Sequence, residues 1–295
     1  MNNFSTSGTL FSRNISLNLG GRYLDLATPK VMGIINTTPD SFYPESRLSD
    51  PLQAVHAARE MIRQGAQILD IGAASSRPGA GEISEEQEVN RLSPVLEAIR
   101  KNLPDCNLSV DTRRSGVAKV VHERFGIQMI NDISAGQFDP GMFSTVAELG
   151  LAYVMMHMQG NPDNMQAEPH YVNVVNEVMR FFGERLYTLR KLGVNDIVID
   201  PGFGFGKTLD HNYTLLTELD SFKILELPVM VGISRKSMIY NTLDTNSRKA
   251  LNGTTAAHMA ALMKGASLLR VHDVQAAMET VKIFQRIGNL HSEGV

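Results

Sequence analysis

The chain of 295 residues has a formal net charge of −3, with 43% hydrophobic residues, 20% charged residues and one cysteine, Cys106. This balance is ordinary for a soluble globular protein and argues against nucleic-acid binding through a broad basic surface. The single cysteine excludes an internal disulfide and a zinc site made of several thiolates. Residues 1–21 lack the apolar segment of a signal peptide, and no apolar run is long enough to span a bilayer. We therefore expect a cytoplasmic protein with no membrane partner.

The first 30 residues predict a small cap. Gly20 and Gly21 stand where they can form the turn of a β-hairpin. We expect residues 1–30 to form a hairpin that covers the N-terminal end of one following domain, residues 31–290.

Short, nearly continuous apolar segments follow, each separated from the next by a polar break and a helical pattern. Such segments are typical of parallel strands that are buried on both faces. They lie at residues 31–36, 68–73, 108–112, 129–134, 153–158, 197–202, 229–234 and 268–273.

Helical patterns lie between these segments. Ser84 and Gln87 have the spacing of a capping box, and apolar residues then recur at positions 89, 92, 95, 96 and 99. Residues 171–192 predict a long amphipathic helix, and residues 253–265 predict a tightly packed helix rich in Ala and Met.

Eight strands alternating with helices over about 250 residues are the expected content of a closed barrel. A doubly wound open sheet has the same alternation, but no dinucleotide fingerprint follows the first strand. The sequence therefore predicts an α/β fold, a TIM (β/α)8 barrel with an N-terminal β-hairpin cap.

Polar side chains follow the predicted strands, where the catalytic groups of this barrel lie. A lone Asp or Asn at a strand end is as often a turn former. Polar residues at all eight ends predict a site at the barrel mouth. They are Asn36, Ser76 with Arg77, Asp111, Asn131, His157, Asp200, Lys236, and Arg270 with His272.

The chemistry of this set indicates a flat, nitrogen-rich ring and an anion. Asp111, Asn131 and Asp200 can pair with an amidine-like ring edge, and Lys236 supplies a point charge. Arg270 and His272 alternate along one strand, so they point the same way. Beside Asn36 they form an anion site, unless they belong to a surface salt bridge. His157 and the remaining histidines, apart from His272, are better interpreted as structural.

Residues 200–208 nearly spell a P-loop. The pattern requires glycine where Pro201 stands, and proline has no N–H to offer a phosphate. We expect the glycines to let this loop approach a flat ligand, with Phe203 or Phe205 at its edge.

The ordered set of motifs resembles the dihydropteroate synthase family. The matching segments are residues 32–42, 70–79, 200–207, 232–237 and 270–272, in register from about residue 31 to 287. The resemblance implies a homodimeric enzyme of folate biosynthesis. It would join a dihydropterin methyl diphosphate to 4-aminobenzoate, release diphosphate and use Mg²⁺.

The resemblance also implies roles for individual residues. Asp111, Asn131, Asp200 and Lys236 would hold the pterin, with Ile133 and Met156 on either side of the ring. Asn36, Arg270 and His272 would bind the diphosphate, with Asn36 reaching the metal, and Val271 would be a further substrate-binding residue. Ser76, Arg77, Pro78, Phe205 and Ser237 would border the aminobenzoate. Lys236, Asp40 and Arg77 would be the catalytic residues.

Two departures from the family pattern leave alternatives open. Ala74 stands where the family usually has Glu. In the first loop, Tyr43–Pro44–Glu45–Ser46 replaces Ser-Asp-Gly-Gly. The second acid of that loop is therefore displaced to Glu45 or lost. A pterin-binding protein without catalysis is therefore one alternative. A pterin-dependent methyltransferase is another, although it would not need residues 234–237 or the pair of Arg270 and His272.

Overall fold

A computed structural model describes residues 15–37, 50–74, 81, 83–160, 165 and 169–292, with side chains to residue 288. The predictions for Asp40, Glu45, Ser76, Arg77 and Pro78 lie outside the described residues. The strands are β1 Ser16–Leu19, β2 Arg22–Asp25, β3 Lys30–Asn36, β4 Ile68–Gly72, β5 Leu108–Asp111, β6 Met129–Asp132, β7 Ala152–Met156, β8 Ile197–Asp200, β9 Met230–Val231 and β10 Leu268–Val271.

Helices alternate with these strands from β3 onward. They are α1 Pro51–Gln64, α2 Glu85–Asn102, α3 Ser115–Phe125, α4 Met142–Leu149, α5 Val174–Lys191, α6 Leu209–Thr217, α7 Ser237–Thr242, α8 Leu251–Met263 and α9 Val274–Ser292. The connections among the described residues also contain two short 3-10 helices, Leu219–Leu225 and Ser247–Lys249.

The predicted TIM barrel is confirmed. Parallel pairing runs in the order β8-β7-β6-β5-β4-β3-β10-β9. A parallel bridge between Ile199 and Val229 joins β8 to the start of β9 and closes the ring.

All eight predicted strands are found. β3 ends at Asn36 as predicted, and the other seven end one to three residues before their predicted limits. Asp132 ends β6, since its carboxylate accepts the N–H groups of Ser134 and Gly136 at 2.8 Å each. The predicted strand at residues 229–234 keeps only Met230–Val231. Lys236 N donates to Ile233 O at 3.1 Å, and this turn ends the extended chain.

The predicted helices are also found. The capping box is present, since Ser84 Oγ accepts from Gln87 N at 3.1 Å and Gln87 Oε1 accepts from Ser84 N at 2.9 Å. Helix α5 begins at Val174, later than residue 171, because the Asn173 side chain accepts from Asn176 N and caps the helix there. In the described part of the chain, no helix is both long and apolar enough to cross a lipid bilayer.

The predicted hairpin cap is confirmed for its described part. β1 and β2 pair antiparallel, and Gly20 and Gly21 form the turn with φ angles of 61° and 88°. Apolar hairpin side chains pack into one cluster with those from the lower barrel interior. The cluster includes Leu17, Leu19, Leu24, Leu26, Met32, Ile68, Met129, Val154, Val198, Met230 and Leu268. The hairpin therefore closes the barrel's N-terminal end and leaves the opposite end for the site.

Candidate active site

Strands β3 to β6 carry polar residues to the same height at the C-terminal mouth. Asn36, Gly72, Asp111 and Asn131 are successive Cα partners across these strands. Gly72 keeps the space between its neighbours open, since a Cβ there would lie 3.5 Å from both Asn36 Oδ1 and Asp111 Cβ. Asn36 and Asp111 therefore face one another across a gap.

Arg270 lies at the centre of the mouth, between two carboxylates. Its Nε donates to Asp70 Oδ2 at 2.7 Å and its Nη2 donates to Asp111 Oδ2 at 2.8 Å. Asp70 is fully buried, and its Oδ2 also accepts from Asn131 Nδ2 at 3.0 Å. No described residue donates to its second oxygen, Oδ1. Two acids therefore hold the guanidinium of Arg270 inside the barrel. Arg270 is not part of a surface salt bridge, which was the alternative that the sequence left open.

Burial sets the protonation of this cluster. It raises the pKa of Asp111 to about 7, and the opposing effect of Arg270 is smaller. The pKa of Arg270 is raised, because the attraction of Asp70 and Asp111 outweighs burial. The guanidinium is therefore a fixed cation, while Asp111 can change charge near neutral pH.

Asp200 and Lys236 form a second charged group at the mouth, near Arg270. Asp200 is buried, and its Oδ1 accepts from Gly202 N at 2.8 Å. Burial raises the pKa of Asp200, while Lys236 opposes that effect. Lys236 Nζ donates to Phe203 O at 2.5 Å and lies 4.5 Å from the centre of the Phe205 ring. Burial lowers the pKa of Lys236 to about 8, so its charge is also adjustable near neutral pH.

His272 lies next to Ser234, which is within the turn after β9. His272 N donates to Ser234 Oγ at 3.2 Å, and Nδ1 lies 3.1 Å from the same oxygen. Burial lowers the pKa of His272 to about 3, and Arg270 adds to that effect. The imidazole is therefore neutral at physiological pH. If the Ser234 hydroxyl donates to Nδ1, the ring proton is on Nε2.

Several predicted residues form the apolar walls of the site. Met156 is buried at the end of β7, in a cluster against which Ile133 and Phe205 pack.

Two other predicted residues lie outside these walls. Ser237 is exposed at the first position of α7. Val271 is fully buried in the layer between the barrel and its helices, so its side chain does not face the mouth.

Two residues that resemble site residues are structural. His157 is buried, as predicted for a structural histidine, and its Nδ1 lies 2.9 Å from Lys207 Nζ. Lys207 is also buried and donates to backbone carbonyls of its own loop. The near-match to a P-loop is therefore not a phosphate site in this structure, which agrees with the sequence interpretation.

Sequence reasoning gave no role to Asp70, although the structure places it at the centre of the network. An ionisable residue within the otherwise apolar segment 68–73 was the available signal, because an unpaired charge is costly in a barrel core.

A metal would need ligands from the substrate. Among the described residues, no group of three or more His, Cys, Asp or Glu side chains could hold a metal ion. Mg²⁺ usually takes one or two protein oxygens together with water and substrate phosphates. Asn36 Oδ1 faces the mouth and suits that kind of coordination.

Comparisons with known proteins agree with this geometry. A family model for pterin binding enzymes matches residues 32–272. A dihydropteroate synthase of Escherichia coli is 43% identical over 267 residues, which cover 90% of this chain and 94% of that protein.

Solved structures give the same result. The Yersinia pestis dihydropteroate synthase in complex with a sulfonamide drug superposes with a TM-score of 0.89 at 40% identity, covering 93% of this chain and all of that one. The Xanthomonas albilineans dihydropteroate synthase with 4-aminobenzoic acid gives 0.85 at 38% identity, covering 94% and 99%.

Proposed function

We propose a role for each side of the barrel mouth, given that this chain belongs to the pterin-binding enzyme family and, within it, to the dihydropteroate synthases. The protein is a transferase that forms a carbon–nitrogen bond. It condenses (7,8-dihydropterin-6-yl)methyl diphosphate with 4-aminobenzoate to give 7,8-dihydropteroate and diphosphate in folate biosynthesis.

The pterin ring binds between the two charged groups. One observation carries this proposal: Asp111 and Asn131 belong to the group around Arg270, Asp200 and Lys236 form the other group, and the charges of the two groups act on one another. The ring's amino and N–H groups suit the Asp200 carboxylate, whose Oδ1 is already oriented by Gly202 N. Met156, Ile133 and Phe205 supply apolar contact for the ring faces.

The diphosphate binds on the side of Asn36, Arg270 and His272. Between described residues, no hydrogen bond uses Nη1 of Arg270, so this nitrogen can donate to a phosphate oxygen while Nε and Nη2 keep their carboxylates. His272 is neutral and contributes a hydrogen bond, not a charge.

The arrangement favours departure of diphosphate as the first event. The bond between the exocyclic methylene and the diphosphate oxygen breaks, and positive charge spreads from the methylene into the dihydropterin ring. The carboxylates of Asp70, Asp111 and Asp200 lie around that ring and stabilise the developing cation, while Arg270 stabilises the anionic leaving group. Loss of a donor such as Arg270, which stabilises the leaving group, typically raises the activation barrier by about 3 kcal/mol.

The amino nitrogen of 4-aminobenzoate then bonds to the methylene and releases a proton to water. A neutral aromatic amine is a weak nucleophile, so its positioning accounts for much of the remaining rate enhancement. Phe205 and Ser237 border the side from which it would approach. Ser76, Arg77 and Pro78, with Asp40 as a catalytic helper, complete this proposal on the basis of the family resemblance.

Magnesium is part of the proposal. When bound, it would neutralise charge on the leaving diphosphate. Asn36 would hold it, with the remaining oxygens coming from the substrate and from water.

A homodimer in the cytoplasm also belongs to this proposal. The family resemblance supports it, and α8 and α9 carry exposed apolar side chains, Met263, Ile283 and Ile287, which a second copy would cover. Light scattering should give twice the chain mass of 32.5 kDa. Introducing a charge with Ile283→Glu tests whether α9 lies in the interface.

Turnover of the purified protein tests the proposed reaction. With both substrates and Mg²⁺, we expect stoichiometric release of diphosphate and formation of dihydropteroate. Pterin binding without diphosphate release would indicate a binding protein, and methyl transfer from a methylated folate would indicate a methyltransferase. Arg270→Ala and His272→Ala should weaken the diphosphate ester more than bare 6-hydroxymethylpterin, and equal losses for the two ligands would contradict the proposed anion site.

A further inference from the structure

Lys207 lies in a cage of acceptors outside the proposed substrate contacts. The residue is only 4% exposed. Its Nζ donates to Gly202 O at 3.0 Å, Phe205 O at 3.0 Å and His157 O at 3.3 Å, and it lies 2.9 Å from His157 Nδ1. No carboxylate is among these contacts, so an ammonium is held by neutral oxygens and one imidazole nitrogen.

The glycines of residues 201–208 make this cage possible. Gly202 has a φ of +72°, and a Cβ there would lie 1.9 Å from His157 O. Gly206 has a φ of +62°, and a Cβ there would lie 2.5 Å from Gln159 O. A side chain at either position would prevent the loop from closing against the segment after β7.

The loop is thus the electrostatic opposite of the P-loop that its sequence resembles. In a P-loop, backbone N–H groups converge on a bound phosphate. Here backbone carbonyls converge on a cation, and that cation is the chain's own lysine. Burial lowers the pKa of Lys207 well below its usual value, because lost solvation disfavours the ammonium, and the charge of Asp200 opposes that effect.

The same loop carries groups of the pterin pocket on its other side. Phe203 O accepts from Lys236 Nζ, and the Phe205 ring lies beneath that nitrogen. The backbone of Gly202 connects the two sides directly, since its N–H donates to Asp200 while its C=O accepts from Lys207.

We infer that Lys207 is a positioning residue for the pterin pocket, acting through the backbone of residues 202–205 to place Phe205, Lys236 and Asp200. This inference rests on the proposed function, because it assigns the pterin ring to those three residues. Lys207 itself does not touch the ring.

Chemical rescue tests the inference. Lys207→Ala removes three carbons and the nitrogen, which n-propylammonium can replace. We expect this variant to bind 6-hydroxymethylpterin at least about tenfold more weakly, since small displacements of positioned groups have effects of this size or larger. Millimolar n-propylammonium should restore the affinity measured by calorimetry. Propan-1-ol, which fits the same space without the charge, should not.

Two further variants serve as controls. Lys207→Met fills the cage with a neutral chain of similar length, so we expect weak pterin binding that n-propylammonium does not restore. Lys264→Ala removes an exposed lysine that pairs with Asp220 at 3.4 Å, and it should bind pterin as the unaltered protein does. Unchanged pterin affinity in Lys207→Ala, or equal rescue by propan-1-ol, would overturn the inference.

A second readout does not depend on pterin. Amide hydrogen exchange at residues 202–206 should be faster in Lys207→Ala and slow again with n-propylammonium. Turnover by the unaltered protein tests the proposed function separately. Normal turnover with unchanged exchange in the variant would reject only the role of Lys207, whereas altered exchange with no turnover by the unaltered protein would reject only the function.

Discussion

The lower and upper halves of the barrel interior are made by the same strands but follow opposite rules. On β4, β6, β8 and β10 the lower residues are Ile68, Met129, Val198 and Leu268, which pack on the hairpin. Two positions further along each strand stand Asp70, Asn131, Asp200 and Arg270. Since strand side chains alternate, each pair points into the same space at two heights.

This difference shows how the barrel separates stability from chemistry. The lower half buries apolar side chains, which need no hydrogen-bond or ion-pair partners. The upper half buries charges, which are tolerated only because they are paired across the barrel: Arg270 with two acids, and Lys236 near Asp200. Mutations in the upper half should therefore change both the affinity for substrate and the free energy of unfolding. Mutations in the lower half should change the free energy of unfolding alone.

The largest expected effect comes from Arg270→Ala. It leaves Asp70 and Asp111 buried without a countercharge, and breaking such a group costs roughly 3–5 kcal/mol of unfolding free energy. Without Arg270 the pKa of Asp111 rises further above its unfolded value. A buried acid with a raised pKa loses stability as pH increases, so denaturant unfolding should show a larger deficit at pH 8 than at pH 5.

Arg270→Lys is the matched variant, since it keeps the charge but cannot bridge two carboxylates in the same way. It should recover most of the stability and little of the affinity for the diphosphate ester. A stability loss in Arg270→Ala that is independent of pH would contradict the network.

Asp200→Asn should reduce pterin binding by roughly 2–5 kcal/mol, because a donor then faces the donors of the ring. Asn Oδ1 can still accept from Gly202 N, so the loop should keep its shape. The melting temperature should fall, because Lys236 loses its countercharge. Calorimetry with 6-hydroxymethylpterin measures the loss. Affinity equal to that of the unaltered protein would remove Asp200 from the pterin site.

The affinity for pterin should depend on pH because it follows the charge of Lys236. Its pKa of about 8 means that the ammonium is lost as pH rises through 8. Affinity should then fall by up to about tenfold per pH unit. The same group affects stability in the opposite direction, since the unfolded lysine binds more protons between pH 8 and its usual pKa, so this contribution to stability rises with pH.

Lys236→Met is the matched control for this pH dependence, because its affinity for pterin should be low and should not decline further above pH 8. An alkaline decline of the same size in Lys236→Met would assign that decline to another group.

The smallest effect is expected in the lower half. Ile68 lies two residues before Asp70 on β4 and is 1% exposed. Ile68→Val should cost roughly 0.5–1.5 kcal/mol of unfolding free energy. The Kd for 6-hydroxymethylpterin should not change. A change in pterin affinity comparable to the change in stability would show that the two halves are coupled.

Local patterns were sufficient to predict much of this molecule. Strand segments, the capping box at Ser84 and the glycine turn of the hairpin depend on neighbours a few residues apart, and all are found. The position of the site followed from polar residues at strand ends, because parallel strands in a barrel bring those ends together.

Pairing across the barrel was decided only by the tertiary structure. Arg270 meets Asp70 and Asp111 at separations of 200 and 159 residues, and no local pattern distinguishes that partnership from a surface ion pair. Residues 201–208 show the same limit, since a sequence that resembles a phosphate loop closes its carbonyls around Lys207. Alternation along a strand determines which way a side chain points, but the closure of the barrel determines which charge it meets.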